Sequence, residues 1–116
     1  MGVVGSGVAS YLLRYADSIE RQFGTRVLIE KILVRDQSKP REDIIPASLL
    51  TANPEEILRS RELDIIVEVI GGEQPAATYL SDGLTSGKHV VTANKEVMAK
   101  FGSDLLDVAK RNRVRL

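Results

Sequence analysis

His89-Val90-Val91-Thr92-Ala93-Asn94-Lys95 is the stretch around which this chain is organised. Its two adjacent valines are β-branched and predict a buried strand, and Gly87 lies in the turn before it. Asn94 is a good N-cap, so a helix should begin at Lys95. Ligands of open α/β sheets bind at the carboxyl ends of the strands. Because the first turn of a helix disfavours a cation, Lys95 is a candidate functional residue, with a solvated surface lysine as the alternative.

The composition is that of one ordinary globular domain. The chain has 116 residues, of which 43% are hydrophobic and 28% charged. Sixteen basic and sixteen acidic side chains cancel, which argues against a nucleic-acid-binding protein. The absence of cysteine and the single histidine exclude disulfides, thiolate chemistry and a zinc cluster, so we expect no metal site. No apolar run approaches the ~20 residues of a membrane span and no secretory signal is present, so we expect a cytoplasmic protein.

The chain opens with a glycine-rich turn that leads into a helix. Gly2 and Gly5 have the spacing of the second and third glycines in the dinucleotide fingerprint G-x-G-x-x-G. The first glycine would fall before Met1, and the strand that should precede it is absent, so a plain tight turn is the alternative. Apolar residues at steps of three and four then predict one helix of about four turns that ends at Gly24. These residues are Val8, Leu12, Ala16, Ile19 and Phe23.

A charged loop follows the strand predicted at Arg26–Val34. In dinucleotide-binding domains, this loop meets the adenosine ribose. Arg35, Lys39 and Arg41 favour the 2′-phosphate of NADP, whereas Asp36 keeps NAD possible. A solvated loop without a ligand is the alternative.

The strongest strand signal is Asp64–Ile70, whose near-continuous apolar run predicts a strand covered on both faces. Glu68 lies within it, and a buried carboxylate there would need hydrogen-bond partners. Gly71-Gly72 follows at the carboxyl end and would let a ligand approach the backbone closely. Further along, Phe101-Gly102 is expected to break the chain before a last helix capped by Ser103.

The alternation of helices and strands predicts a parallel sheet with helices on both faces, that is, a Rossmann-like, doubly wound α/β fold. Three loops should converge at the carboxyl ends of the strands, namely Gly2–Gly5, Gly71-Gly72 and Thr92–Lys95, with Arg35 at the adenosine end. This convergence favours a nucleotide site more strongly than any one loop does.

The whole chain resembles the nucleotide-binding domain of homoserine dehydrogenase. The resemblance is carried by Val67–Gly72, Pro75-Ala76 and above all Gly87–Lys95, and Met1–Val8 and Val34–Arg41 fit the same family. It implies a single NAD(P)-binding domain over residues 1–116, truncated at both ends. The first strand and first glycine would be missing, and a substrate-binding and dimerising domain would follow Leu116. We therefore expect little or no turnover from this chain alone.

The resemblance also implies an activity, the NAD(P)-dependent interconversion of L-homoserine and L-aspartate 4-semialdehyde in the pathway to threonine, methionine and isoleucine. NADP is the favoured cofactor, the substrate is a small molecule, and the full-length protein should be a homo-oligomer. Lys95 would be catalytic, because a buried lysine has a depressed pKa and can exchange protons near neutral pH. The cofactor-binding residues implied are Gly2, Val3, Val4, Gly5, Arg35, Asp36, Lys39, Gly71, Gly72, Thr92, Ala93 and Asn94.

Two alternatives remain open at this point. One is a related dehydrogenase that acts on another amino-acid aldehyde or acid. The other is a regulatory module that binds a nucleotide without catalysis. Lys95 discriminates between enzyme and module, because a sensor does not need a proton-handling lysine beside the nicotinamide.

Overall fold

The computed structural model describes all 116 residues, which form two compact units, Met1–Glu56 and Ile57–Leu116. The helices and strands in chain order are α1 (Val3–Arg14), α2 (Ala16–Phe23), β1 (Ile32–Leu33), a 3-10 turn (Ala47–Leu49), β2 (Leu50–Thr51), α3 (Glu55–Leu58), β3 (Ile65–Glu68), α4 (Ala76–Thr85), β4 (His89–Thr92) and α5 (Lys95–Arg111). None of the helices is long and apolar enough to cross a membrane.

The first predicted helix is divided in two at Tyr15. This residue has φ −110° and ψ 21°, outside the helical region, and separates α1 from α2. Helical hydrogen bonds continue on both sides, since Tyr15 N donates to Tyr11 O (3.0 Å) and Ile19 N donates to Tyr15 O (2.9 Å). The predicted end at Gly24 is confirmed, because this glycine has φ 71° and closes α2 in the left-handed conformation.

The strand predicted at Arg26–Val34 is much shorter in the structure. Only Ile32 and Leu33 form β1, which pairs in parallel with the two residues of β2. Val34 N extends the pairing by donating to Thr51 O at 2.8 Å. Residues 26–31 of the predicted strand have no ladder partner, and Leu28 among them is 63% exposed. Strand length here is set by the available partner and not by β-propensity.

In the second unit, β3 and β4 pair in parallel, which confirms the predicted parallel arrangement. The register aligns Ile65 with His89 and Glu68 with Thr92. The helix α4 forms the crossover between the two strands. Because the strands end at the same level, the two loops that follow them begin side by side.

The core of the second unit lies between one face of this strand pair and the helices α4 and α5. Leu80, Leu84 and Val97 are its largest fully buried side chains. The opposite face carries Ile65 and Val67, which are 55% and 42% exposed. Burial along β3 thus alternates from residue to residue, instead of covering both faces as the apolar run predicts.

Helix α5 runs without interruption through the predicted break at Phe101-Gly102. A glycine in a helix interior costs only ~1 kcal/mol relative to alanine. The apolar side of α5 buries Leu105 and Ala109 in the core, on the C-terminal side of Gly102. Packing of this side outweighs the local cost of one glycine, so a single helix forms.

Gly102→Ala is expected to raise the free energy of unfolding by about 0.5–1 kcal/mol, measured by urea denaturation, because alanine is the better helix former. An added Cβ would lie 3.3 Å from Met98 Cε, the flexible end of a side chain that can shift. The control is Gly87→Ala, which should lower stability by about 1 kcal/mol, because Gly87 has φ 82°. A lower stability for Gly102→Ala would contradict the prediction.

Candidate functional site

The start of α1 presents unpaired backbone donors. Gly2 is the N-cap and no side chain caps this end of the helix. The first helical bond runs from Ser6 N to Gly2 O at 2.9 Å, so the N–H groups of Val3, Val4 and Gly5 have no partner within the helix. A Cβ at Gly2 would meet no atom within 4 Å, so the approach is open. Free N–H groups and the positive end of the helix dipole suit this turn to a phosphate group.

The charged loop of the first unit divides its cations between two roles. Arg41 is structural, because its guanidinium donates to the carbonyl oxygens of Asp36 and Lys39, both at 2.7 Å. Arg35 and Lys39 are exposed and make no hydrogen bond or ion pair through their side chains. Two of the three predicted phosphate-reading cations are therefore available to a ligand.

Asp36 closes a turn with its side chain. Its Oδ1 accepts hydrogen bonds from the backbone N–H of Ser38 (2.9 Å) and from the Ser38 hydroxyl (2.6 Å). These two bonds are the main reason that the pKa of Asp36 lies below its usual value. The carboxylate is thus held ionised, with one oxygen engaged by the loop.

Helix α1 is connected within the first unit to the segment directly after the charged loop. The Ser10 hydroxyl of α1 donates a hydrogen bond to Glu42 Oε2 at 2.9 Å. Glu42 follows Arg41, the last cation of the charged loop, so this bond joins the helix that begins at the predicted phosphate-binding turn to the end of the predicted ribose loop.

In the second unit, the loop after β3 has an open glycine backbone. Gly71 and Gly72 have φ 80° and 72°, a conformation that side chains rarely adopt. An added Cβ at either residue would meet no atom within 4 Å, so space and not packing surrounds both. A ligand can therefore reach this backbone directly.

A buried carboxylate fixes the ends of β3 and β4. Glu68 is only 3% exposed, and its Oε1 accepts a hydrogen bond from Ile70 N at 2.7 Å. Its Oε2 accepts from the Thr92 hydroxyl at 2.6 Å. The hydrogen-bond partners predicted for Glu68 are thus present, one in the loop after its own strand and one in the neighbouring strand.

Asn94 connects the two loops. Its Oδ1 accepts from Val97 N at 3.1 Å, which confirms the predicted N-cap of α5. Its Nδ2 donates to Gly72 O at 2.6 Å, and its backbone N donates to the Thr92 hydroxyl at 3.0 Å. Asn94 is 6% exposed, and both polar atoms of its side chain are hydrogen-bonded, so it positions Gly72 and the start of α5 relative to each other.

Lys95 is the first residue of α5, as expected, but its side chain is exposed and not buried. Its ammonium forms no hydrogen bond or ion pair. The expectation that Lys95 is buried is therefore wrong for the residues described. Ala93 beside it is also exposed, and its backbone N donates to Glu68 O at 3.3 Å.

Two features of this region do not follow from the sequence motifs. Lys100 forms an ion pair with Glu73, which lies directly after the glycine loop. Lys88, inside the motif that carries the resemblance, is buried and not solvated. The i, i+4 spacing of Glu96 and Lys100 could have predicted that Lys100 forms an ion pair on this face of α5, and their charged atoms lie 3.8 Å apart. No local pattern predicts the burial of Lys88.

The matching family model, the sequence relatives and the solved structures all indicate one protein family. The family model for the NAD-binding domain of homoserine dehydrogenase matches residues 1–116. The homoserine dehydrogenases of Bacillus subtilis and Corynebacterium glutamicum are 44% and 39% identical over 112 and 116 residues. These alignments cover 97% and 99% of this chain but 26% of each relative. The chain thus spans about a quarter of the length of the curated relatives it matches.

Solved structures agree with the sequence relatives. A crystal structure of S. aureus homoserine dehydrogenase at pH 7.0 has a TM-score of 0.93 and 41% identity, and covers 100% of this chain and 30% of that chain. The homoserine dehydrogenase of Thiobacillus denitrificans has a TM-score of 0.89 and 37% identity, over 98% of this chain and 26% of that chain. The predicted Rossmann-like α/β fold class is confirmed. The chain belongs to the family of homoserine dehydrogenase NAD-binding domains.

Proposed function

We propose that this chain binds NADP, or NAD, as the nucleotide-binding part of an enzyme that interconverts L-homoserine and L-aspartate 4-semialdehyde. The observation that carries the proposal is the uncapped start of α1, where the N–H groups of Val3, Val4 and Gly5 have no partner within the helix and Gly2, Val3 and Val4 are exposed. The relatives named homoserine dehydrogenase supply the reaction. The product would enter the biosynthesis of threonine, methionine and isoleucine.

The first unit would bind the pyrophosphate and the adenosine end of the cofactor. Gly2, Val3, Val4 and Gly5 would lie against the pyrophosphate, because their backbone N–H groups form the positive end of α1. This fit needs no side chain, which is consistent with the apolar and glycine residues at the turn.

We infer a preference for NADP from the charged loop. Arg35 and Lys39 are exposed, lack protein partners, and carry the charge that a 2′-phosphate requires. Asp36 would bind a ribose 2′-OH instead, but one of its oxygens already accepts two hydrogen bonds from Ser38. The balance favours the phosphate over the hydroxyl.

The second unit would bind the nicotinamide end. Gly71, Gly72, Thr92 and Ala93 would line the ring, and Asn94 would hold the glycine loop in place through Gly72 O. The bound cofactor supplies or accepts the hydride. Lys95 would hold or move the proton at the reacting oxygen of the substrate, since its ammonium is unengaged at the start of α5.

The remaining assignments concern the whole enzyme. We propose that it acts in the cytoplasm on a small-molecule substrate and assembles as a homo-oligomer. The zero net charge of this chain supports a function without nucleic acid, and no membrane partner is proposed.

Calorimetric titration of the 116-residue chain with NADPH and then NADH tests the proposal. We expect saturable binding with NADPH preferred. The full-length homoserine dehydrogenase of Bacillus subtilis, a relative of this chain, serves as the reference titration. If neither protein bound either nucleotide, the proposed function would be wrong.

The double substitution Arg35→Ala with Lys39→Ala should weaken NADPH binding by about tenfold and leave NADH binding unchanged. A tenfold loss corresponds to ~1.4 kcal/mol, a moderate value for charge-assisted bonds near the surface. Calorimetry on both cofactors measures the effect. Lys110→Ala, which removes an exposed lysine of α5, is the matched control. Equal loss for both cofactors would refute the assigned role of the two cations.

A further inference from the structure

A cavity of about 720 Å³ lies at the amino ends of β3 and β4, away from the glycine loop and Lys95. Small-molecule sites in proteins have volumes of this order. The polar residues that line it are Arg59, Ser60, Arg61, Asp64, Ser86, Lys88 and His89. None of them has a role in the proposed nucleotide site.

Lys88 is the unusual member of this lining. It is 3% exposed, and its ammonium makes one hydrogen bond, to Leu58 O at 3.2 Å. An ammonium has three N–H donors, so two of them have no protein acceptor. No carboxylate forms an ion pair with Lys88. Burying a cation without a counter-charge is strongly unfavourable, so a positive group kept in this position calls for an anionic partner.

The carboxyl end of α4 does not supply that partner. Its late carbonyl groups could attract a cation through the helix dipole. However, Gly83 O already accepts from the backbone N of Lys88 at 3.0 Å, and Leu84 O accepts from Gly87 N at 3.1 Å. These acceptors are satisfied by the main chain, so the lysine ammonium is not needed to pair them.

Other groups around the cavity are also donors. His89 Nδ1 accepts a hydrogen bond from Arg115 N at 3.0 Å, so the proton of the neutral ring lies on Nε2. Arg61 adds an exposed cation, and Asp64 is the single carboxylate of the lining. Lys88 and Arg61 together therefore outnumber the one anion, although the whole chain has a net charge of zero.

We propose that this cavity is a second ligand site, which binds the phosphate or carboxylate group of a small molecule, with Lys88 as the buried anchor. Arg61 and His89 provide further donors at the rim. The volume exceeds that of a bare ion, so the anionic group belongs to a larger organic molecule. This site is separate from the proposed nucleotide site and does not depend on it.

Nuclear magnetic resonance of the ¹⁵N-labelled chain tests this site with inorganic phosphate as the probe and acetate in parallel, at constant ionic strength. We expect saturable shifts at residues 60, 61, 88 and 89. Tighter binding of phosphate would assign a phosphate-bearing ligand, and tighter binding of acetate a carboxylate. Shifts at residues 2–6 would report the start of α1 independently, so the two sites are read separately.

Lys88→Met should weaken this binding by at least tenfold, whereas Lys110→Met, on the exposed side of α5, should not change it. Arg61→Ala, at an exposed position, provides a second variant that leaves the core intact and should weaken binding about threefold. Absence of saturable shifts at residues 60, 61, 88 and 89 with both anions would overturn the proposal. Unchanged affinity in both cavity variants would overturn it as well.

Discussion

Lys95→Ala in the full-length protein, the proposed dehydrogenase, is expected to lower turnover by at least ~100-fold and to leave NADPH affinity within about twofold. The side chain of Lys95 is exposed and forms no hydrogen bond or ion pair with the rest of the chain. Its loss should therefore remove chemistry without removing stability. A hundredfold effect corresponds to ~2.7 kcal/mol of transition-state stabilisation.

Two further variants sharpen this test. Lys110→Ala removes another exposed lysine of α5 and should leave turnover unchanged. Lys95→Arg keeps the positive charge but cannot give up its proton near neutral pH. Low turnover in Lys95→Arg would indicate proton transfer, and restored turnover would indicate orientation of the reacting oxygen by charge. Equal losses of NADPH affinity and turnover in Lys95→Ala would refute both roles.

Glu68→Ala is expected to lower the free energy of unfolding by about 3 kcal/mol, measured by urea denaturation. The substitution leaves Ile70 N and the Thr92 hydroxyl without their acceptors in a buried setting. A hydrogen bond to a charged group contributes ~1.5–3 kcal/mol. The Thr92 hydroxyl also accepts a hydrogen bond from Asn94 N. Loss of the Glu68 carboxylate should therefore also loosen the loop that carries Lys95.

Glu73→Ala is the matched control for this experiment. Glu73 is also a carboxylate near the glycine loop, but its partner Lys100 is half-exposed. Exposed ion pairs contribute ~0–1 kcal/mol, so this variant should be nearly neutral. Glu68→Gln keeps one acceptor oxygen and should fall between the two. A loss below ~1 kcal/mol for Glu68→Ala would show that the carboxylate does not hold the loops.

The two predictions concern the same loop, one through its exposed residue Lys95 and the other through the buried Glu68 that holds it. Glu68 and Asn94 are buried, and each polar atom of their side chains is hydrogen-bonded, so they fix the backbone from which Lys95 projects. Lys95 itself has no such constraint. A hydrogen-bonded backbone that carries an unengaged ammonium is the arrangement that the proposed role of Lys95 requires.

Much of the local structure could be predicted from the sequence. Asn94 was predicted as an N-cap, Gly24 as a helix end and β3 and β4 as parallel strands, and all three are confirmed. Each depends on interactions within a few residues or on a strong apolar pattern. The sequence also predicts that Glu68 has hydrogen-bond partners, because a buried carboxylate inside an apolar strand requires them.

Tertiary structure decided the rest. The sequence could not limit β1 to two residues, because strand length depends on the partner strand. It could not place Asn94 Nδ2 against Gly72 O or Lys88 Nζ against Leu58 O, since these pairs are 22 and 30 residues apart. It also did not reveal that Lys95 is exposed while Lys88 is buried, although both lie in one motif. By itself, the sequence determined the order and type of most elements and the family, through local propensities and a specific motif. The contacts of individual polar side chains were decided by packing, because burial and distant hydrogen-bond partners exist only after the chain has folded.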